Sequence, residues 1–128
     1  MPHFVIEYSR RIEDTVDMNE IMEAIFNAAC QSGLMQPDDI KIRAIPFDHF
    51  KLSKKGETFM HLTVSLLEGR SDENKEGLAI LVREKLSTEL KDVNSISIDV
   101  RDMNAVAYKK RVHSYGTCDQ VKLRALIF

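Results

Sequence analysis

Residues 60–90 of the chain read MHLTVSLLEGRSDENKEGLAILVREKLSTEL, and this stretch decides the fold. From Met60 to Leu66 apolar and polar side chains alternate, which is the period of a β-strand with one buried face. Gly69 turns the chain, and Ser71 is of a residue type that caps helix N-termini. Apolar residues then recur three and four positions apart, which predicts an amphipathic helix. Its buried stripe would consist of Leu78, Leu81, Val82, Leu86 and Leu90.

The first half of the chain shows the same order of elements. HFVIEY at residues 3–8 is a short apolar run typical of a strand, and Asp17 followed by Glu20 marks the start of a helix. Gly33 is predicted to end that helix, and a second alternating strand follows at residues 40–46. Each half is therefore a β-α-β unit, which implies two parallel strands joined by a right-handed crossover. We predict a two-layer α/β fold, a duplicated βαβ with a four-stranded sheet and two helices on one face.

The duplication predicts how a single domain of 128 residues is divided. The two pseudo-repeats would cover about residues 2–58 and 59–110, with a C-terminal extension over about residues 111–128. The extension and the segment before it carry a weaker signal, from which we predict short edge strands at Ala105–Tyr108 and Val121–Phe128. Because a sheet of this size leaves its edges uncovered, the fold also favours an oligomer.

The composition excludes several classes of protein. The chain is 44% hydrophobic and 30% charged with a net charge of −2, which argues against disorder and against non-specific binding to nucleic acid. No apolar run approaches the roughly 18 residues of a membrane span, and no signal peptide is evident, so we expect a cytoplasmic protein with no membrane partner. Cys30 and Cys118 form no CxxC motif, and no histidine pair has metal-ligand spacing, so we predict no metal site.

Two motifs carry a resemblance to a known family. LLEGRSDENKEGL at residues 66–78 resembles the strand–turn–helix segment of 4-oxalocrotonate tautomerase and its relatives. PHFVIEYS, which begins at Pro2, resembles the opening of 5-carboxymethyl-2-hydroxymuconate isomerase, a longer member of the same tautomerase superfamily. The resemblance extends from Pro2 to about Tyr108. It implies a homotrimer that needs no cofactor and shifts a proton in a small molecule, a hydroxymuconate-type or unsaturated keto dicarboxylic acid, in the catabolism of aromatic compounds.

The resemblance implies that Met1 is removed and that Pro2 is the catalytic base. An ordinary α-amino group has a pKa of about 7.7–8.0. Burial beside fixed cations disfavours the ammonium form and lowers that pKa, so that a neutral amine is available to accept a proton from carbon. The second half begins at Met60, which is the counterpart of Pro2 but lies inside the chain and has no terminal amine. We therefore expect one active site in each chain.

The resemblance also implies which cations bind the substrate. Arg70 matches the arginine of the family's GRS turn, which helps to bind the substrate carboxylate. Lys41 stands where relatives carry an arginine, and lysine keeps the charge but loses the planar two-pronged donor geometry. Arg43 lies two residues further along the same strand face and could compensate for that loss. We therefore take Arg70, Lys41 and Arg43 as candidate substrate-binding residues.

Two alternatives remain open from the sequence. A non-catalytic oligomeric protein could keep the fold as a ligand-binding module, and the departure at Lys41 favours this reading. A dehalogenase-like or hydratase-like member could instead use the same proline to activate water or to be alkylated. The fate of Met1 separates the catalytic readings from the first alternative, because a retained Met1 would make the nitrogen of Pro2 an amide.

Overall fold

Strands and helices alternate along the computed structural model, which describes residues 2–113. Strand β1 covers His3–Ser9, helix α1 covers Met18–Ser32 and strand β2 covers Lys41–Phe47. The second half repeats this order with β3 at Phe59–Leu67, α2 at Asp72–Glu89 and β4 at Ser95–Met103. Short 3-10 helices at Arg10–Asp14 and Pro37–Asp39 lie on either side of α1.

The strands form one mixed sheet in the order β2-β1-β3-β4. β1 is parallel to β2, and β3 is parallel to β4, as expected for two β-α-β units. The two inner strands are antiparallel, with His3 opposite Ser65 and Tyr8 opposite Met60. The sequence prediction of a four-stranded sheet with both helices on one face is confirmed.

The core lies between the sheet and the helices. Side chains at even positions of β1 and β3 are buried against the helices, whereas those at odd positions, except for the buried Ser9, lie on the other face and are only partly buried. We call this second face, on which neither α1 nor α2 packs, the open face. The core side chains that are fully inaccessible include Phe4, Ile6, Ile25, Met60, Leu62, Val64, Leu66, Leu78, Val82 and Leu86.

The predicted helix ends are confirmed. The side chain of Asp17 accepts a hydrogen bond from the Asn19 N–H at 2.9 Å, and that of Ser71 accepts one from the Asn74 N–H at 3.1 Å. Both oxygens satisfy donors that a helix leaves unpaired at its N-terminus. Gly33 ends α1 with a φ of 72°, in the left-handed region that favours glycine.

The structure corrects one predicted strand and contains one element that the sequence analysis did not predict. The predicted strand at Ala105–Tyr108 is wrong, because the N–H groups of Ala107 and Tyr108 both donate to the Asn104 carbonyl and close a turn. The polar stretch after β1 holds the 3-10 helix Arg10–Asp14, whose Ile12 is buried in the core. The other predicted strand, Val121–Phe128, lies outside the described residues. Within residues 2–113, no helix combines the length and the apolar character needed to cross a membrane.

Candidate active site

The topology brings the predicted site residues to one end of the sheet. Pro2 precedes β1, and Lys41 begins β2 beside it. Because β3 runs antiparallel to β1, its last residue, Leu67, lies at the same end, together with Met103 at the end of the parallel strand β4. We call this end of the sheet the Pro2 edge. Arg70 follows β3 by three residues and so leaves the sheet there.

Pro2 is fixed in position by burial and by one hydrogen bond. Its side chain is less than 2% exposed. Its carbonyl oxygen accepts a hydrogen bond of 3.1 Å from the Lys41 N–H, which ties the start of the chain to β2. Burial of this kind disfavours a positive charge on a nitrogen atom.

Lys41 and Arg43 lie on the open face, as the sequence predicted for residues two apart on one strand. Lys41 Nζ is 3.4 Å from the Asp39 carbonyl oxygen, and Arg43 Nη1 donates to His3 Nδ1 at 3.2 Å. His3 also lies on the open face. Neighbouring side chains in a strand point to opposite sides, and the next residue, Phe4, is buried against the helices. The structure thus brings Lys41 and Arg43 together beside the start of β1.

Arg70 approaches the Pro2 edge from the side of the helices. Its Nη1 donates to the Leu67 carbonyl at 3.0 Å, and its Nη2 donates to the Leu34 carbonyl at 2.9 Å. These two bonds tie the end of β3 to the segment that follows α1, and they fix the orientation of a half-buried guanidinium. A guanidinium has five N–H donors, so three remain beyond these two bonds for a ligand.

Three further residues join the site that the sequence analysis did not assign to it. His3 Nε2 is 3.0 Å from the Tyr108 hydroxyl, and the two rings meet edge to face with centroids 5.9 Å apart. Lys110 Nζ is 3.2 Å from a carboxylate oxygen of Asp39, just before β2. The contacts of Tyr108 and Lys110 join residues more than 70 positions apart, and no local sequence pattern signals them.

The cations of the site act on the pKa of His3. Burial lowers this pKa below its ordinary value of 6.5, and the positive charges of Arg43, Lys41 and Lys110 lower it further. The hydrogen bond from Lys110 holds the pKa of Asp39 below its ordinary value. The Pro2 edge therefore has a positive electrostatic potential that favours neutral bases and bound anions.

A separate cleft of about 720 Å³ lies at the opposite end of the sheet. It is formed by the residues that follow β1 and by the lysine-containing loop between β2 and β3. Arg10 is paired there with Asp48, which accepts its Nε–H at 2.5 Å. This cleft contains none of the predicted site residues. Within residues 2–113, no three His, Cys, Asp or Glu side chains come together as a metal site would require.

Comparison with known proteins identifies the family and the fold of the chain. Residues 2–113 match the family model of 5-carboxymethyl-2-hydroxymuconate isomerase. A search of curated protein sequences finds no match. Among solved structures, the chain resembles a 5-carboxymethyl-2-hydroxymuconate isomerase from Deinococcus radiodurans R1, with 17% identity over 88% of this chain and 90% of that one and a TM-score of 0.70.

Two other solved structures show the same fold. A 5-carboxymethyl-2-hydroxymuconate delta-isomerase is 20% identical over 100% of this chain and 93% of its own, with a TM-score of 0.71. A fused 4-OT, described as a symmetric trimer, is 15% identical over 80% of this chain and 87% of its own, with a TM-score of 0.65.

Proposed function

Because the chain belongs to the 5-carboxymethyl-2-hydroxymuconate isomerase family, we propose that it shifts a proton in a hydroxymuconate-type or unsaturated keto dicarboxylic acid, with Pro2 as the base. The observation that carries the proposal is the position of Pro2, which is buried at the sheet end where Lys41, Arg43 and Arg70 also lie. Removal of Met1 would expose the secondary amine of Pro2. No cofactor takes part in this reaction.

The proposed reaction is a transfer of one proton between two carbon atoms. The neutral amine of Pro2 accepts a proton from a carbon next to the substrate carbonyl, and the C–H electron pair moves into a dienolate. The resulting ammonium then returns the proton to a carbon further along the conjugated system, so that a double bond has migrated. General base catalysis of this kind contributes about 10²–10⁴-fold to a rate.

The cations have separate roles in this reaction. Arg70 would anchor one carboxylate through its remaining N–H donors, since its orientation is fixed by the Leu67 and Leu34 carbonyls. Lys41 would stabilise the negative charge on the dienolate oxygen or bind the second carboxylate, and Arg43 would add to the positive potential on the same face. The lowered pKa of His3 supports this proposal, because the same charges would lower the pKa of a prolyl amine one residue away.

We propose further that the protein acts as a homotrimer in the cytoplasm, in the catabolism of aromatic compounds. The open face supports association, because it is a sheet surface that no helix within residues 2–113 covers. The fused 4-OT with a similar fold is described as a symmetric trimer.

The test of the proposed function compares three proteins whose N-termini are first established by intact mass. In Pro2→Ala, turnover of 5-carboxymethyl-2-hydroxymuconate should fall by at least about 10²-fold, because the secondary amine is lost. Insertion of one alanine between Met1 and Pro2 should have the same effect, since it converts that nitrogen to an amide and changes no side chain. Glu73→Gln on the exposed surface of α2 is the control and should retain activity.

The outcomes of this test separate the alternatives. Full turnover by the protein with the inserted alanine would show that the amine of Pro2 is not the base. Substrate binding with no turnover in the processed wild-type protein would favour the non-catalytic alternative. Release of halide from a 3-haloacrylate, or addition of water to an unsaturated acid, would favour the dehalogenase-like or hydratase-like alternative.

A further inference from the structure

β4 ends at the Pro2 edge, and residues 104–110 then lead the chain back along this edge to the start of β1; we call them the return segment. It begins with the turn at Asn104, whose side-chain oxygen accepts the Val106 N–H at 2.9 Å. Glu68, just after β3, accepts the Ala105 N–H at 2.9 Å and holds the turn against the sheet. The segment then reaches β1 through Tyr108. These contacts connect the end of the outer strand β4 with the end of β3 and with the start of β1.

The hydrogen bonds of His3 determine which of its ring nitrogens carries the proton. A guanidinium only donates, so Arg43 Nη1–H must donate to His3 Nδ1, and that nitrogen must carry a lone pair. His3 is then neutral, with its proton on Nε2. This nitrogen donates to the Tyr108 hydroxyl oxygen 3.0 Å away. The lowered pKa of His3 agrees with the neutral form.

In this series of hydrogen bonds, the acceptor of the Tyr108 hydroxyl hydrogen remains to be identified. The Tyr108 hydroxyl accepts from His3, so its own O–H must donate elsewhere. Among residues 2–113 the structure gives this O–H no acceptor, although the side chain is half-buried. A hydroxyl in such a position gains stability when an oxygen atom of a ligand accepts its hydrogen. Because Tyr108 contacts the residue next to Pro2, that oxygen would lie at the Pro2 edge.

We propose that Tyr108 contacts the substrate by donating its hydroxyl hydrogen to a substrate oxygen, and that His3 is the positioning residue that directs this donor. The proposal rests on the proposed function for its choice of ligand, a keto dicarboxylate. Arg43 acts at the far end of the relay, where it keeps His3 in the tautomer that donates to Tyr108. Tyr108 thus adds a neutral donor, on the open-face side, to the cations of the site.

The test is binding of 2-oxoadipate and of adipate, measured by titration calorimetry. Tyr108→Phe should weaken binding by about three- to tenfold, the range expected when one neutral hydrogen bond is lost. The ring contact with His3 is kept in this variant, so the return segment should stay in place. Val106→Ala, in the same segment and at a side chain that is 79% exposed, is the matched control and should bind as the wild type does.

The two probes identify the oxygen that Tyr108 contacts. A loss with both probes places the contact at a carboxylate, whereas a loss confined to 2-oxoadipate places it at the oxo group. Unchanged binding of both probes by Tyr108→Phe would overturn the proposal, as would the absence of any binding by the wild type.

The positioning role of His3 has its own readout. His3→Leu should weaken binding in the protein that has Tyr108 and should have no further effect when combined with Tyr108→Phe. Additive losses would show that His3 does not act through Tyr108, because independent residues contribute independently.

The Pro2→Ala variant separates this inference from the proposed function. If it still binds 2-oxoadipate with the same dependence on Tyr108 but no longer isomerises the substrate, both proposals hold. If the wild type binds in a Tyr108-dependent manner without isomerisation, the proposed function is wrong and the contact with Tyr108 stands. If the wild type isomerises the substrate and Tyr108→Phe binds the probes unchanged, the proposed function holds and the contact with Tyr108 is wrong.

Discussion

His3 and Arg70 show how single side chains at the Pro2 edge combine structural and chemical roles. Arg70 ties Leu67 to Leu34 through two carbonyls, and the same bonds hold its remaining donors in a fixed orientation. His3 pairs with Arg43 on one side and with Tyr108 on the other. Because these side chains use part of their donors or acceptors within the fold, the site is organised before any ligand binds.

The lowered pKa of His3 predicts how stability changes with pH. The unfolded chain binds a proton at this residue near pH 6.5, whereas the folded protein does so only at a lower pH. The contribution of His3 to the free energy of unfolding is therefore lost as the pH falls below about 6.5, and it is complete above that pH.

Urea unfolding at pH 5.5 and 7.5, at one protein concentration, measures this effect. The wild type should lose more stability between the two values than His3→Gln does. His49→Gln, in the exposed loop after β2, is the control and should behave as the wild type. An equal loss in wild type and His3→Gln would contradict the prediction.

At the scale of the elements, Ser71 caps the N-terminus of α2. Ser71 directly follows Arg70, and its side chain caps the helix through the Asn74 N–H. Ser71→Ala should lower the free energy of unfolding by about 0.5–2 kcal/mol, because this donor loses its partner. Chemical denaturation of the variant and of Ser87→Ala, an exposed position in the same helix, measures the effect. A loss of the same size in both would mean that the cap contributes nothing.

The elements themselves were largely predictable from the sequence, because each buried face repeats with the period of a helix or a strand. Met60 to Leu66 alternate, and the apolar residues of α2 recur every three or four positions. The return segment could not be predicted, because it has no periodicity and is held by distant contacts such as that of Tyr108 with His3. The topology then places Pro2, Lys41 and Arg70 at one end of the sheet, whereas their roles in binding and catalysis stay predictions.

At the scale of the whole molecule, the open face of the sheet is a large surface that neither helix α1 nor helix α2 covers. Thr63 lies near its centre, opposite Val5 on the neighbouring strand. If copies of the chain associate through this face, Thr63→Glu should dissociate the trimer, because three carboxylates would be buried without partners.

Sedimentation velocity of Thr63→Glu, compared with Thr88→Glu on the exposed side of α2, measures this dissociation. Thr88→Glu should sediment as the wild type. A variant Thr63→Glu with the sedimentation coefficient of the wild type would mean that association, if it occurs, uses another surface.

The antiparallel pairing of β1 with β3 gives the sheet an approximate twofold axis that exchanges β2 with β4. This rotation carries the position of Pro2 to the opposite end of the sheet, where β3 starts and where Arg10 directly follows β1. In a circular permutant whose chain begins at Met60, the terminal amine would therefore lie at the position that this axis relates to that of Pro2. This position is beside the cleft at the opposite end of the sheet. The approximate symmetry of the backbone thus relates two positions in which a chain terminus could lie. The present order of the elements places the N-terminus at only one of them.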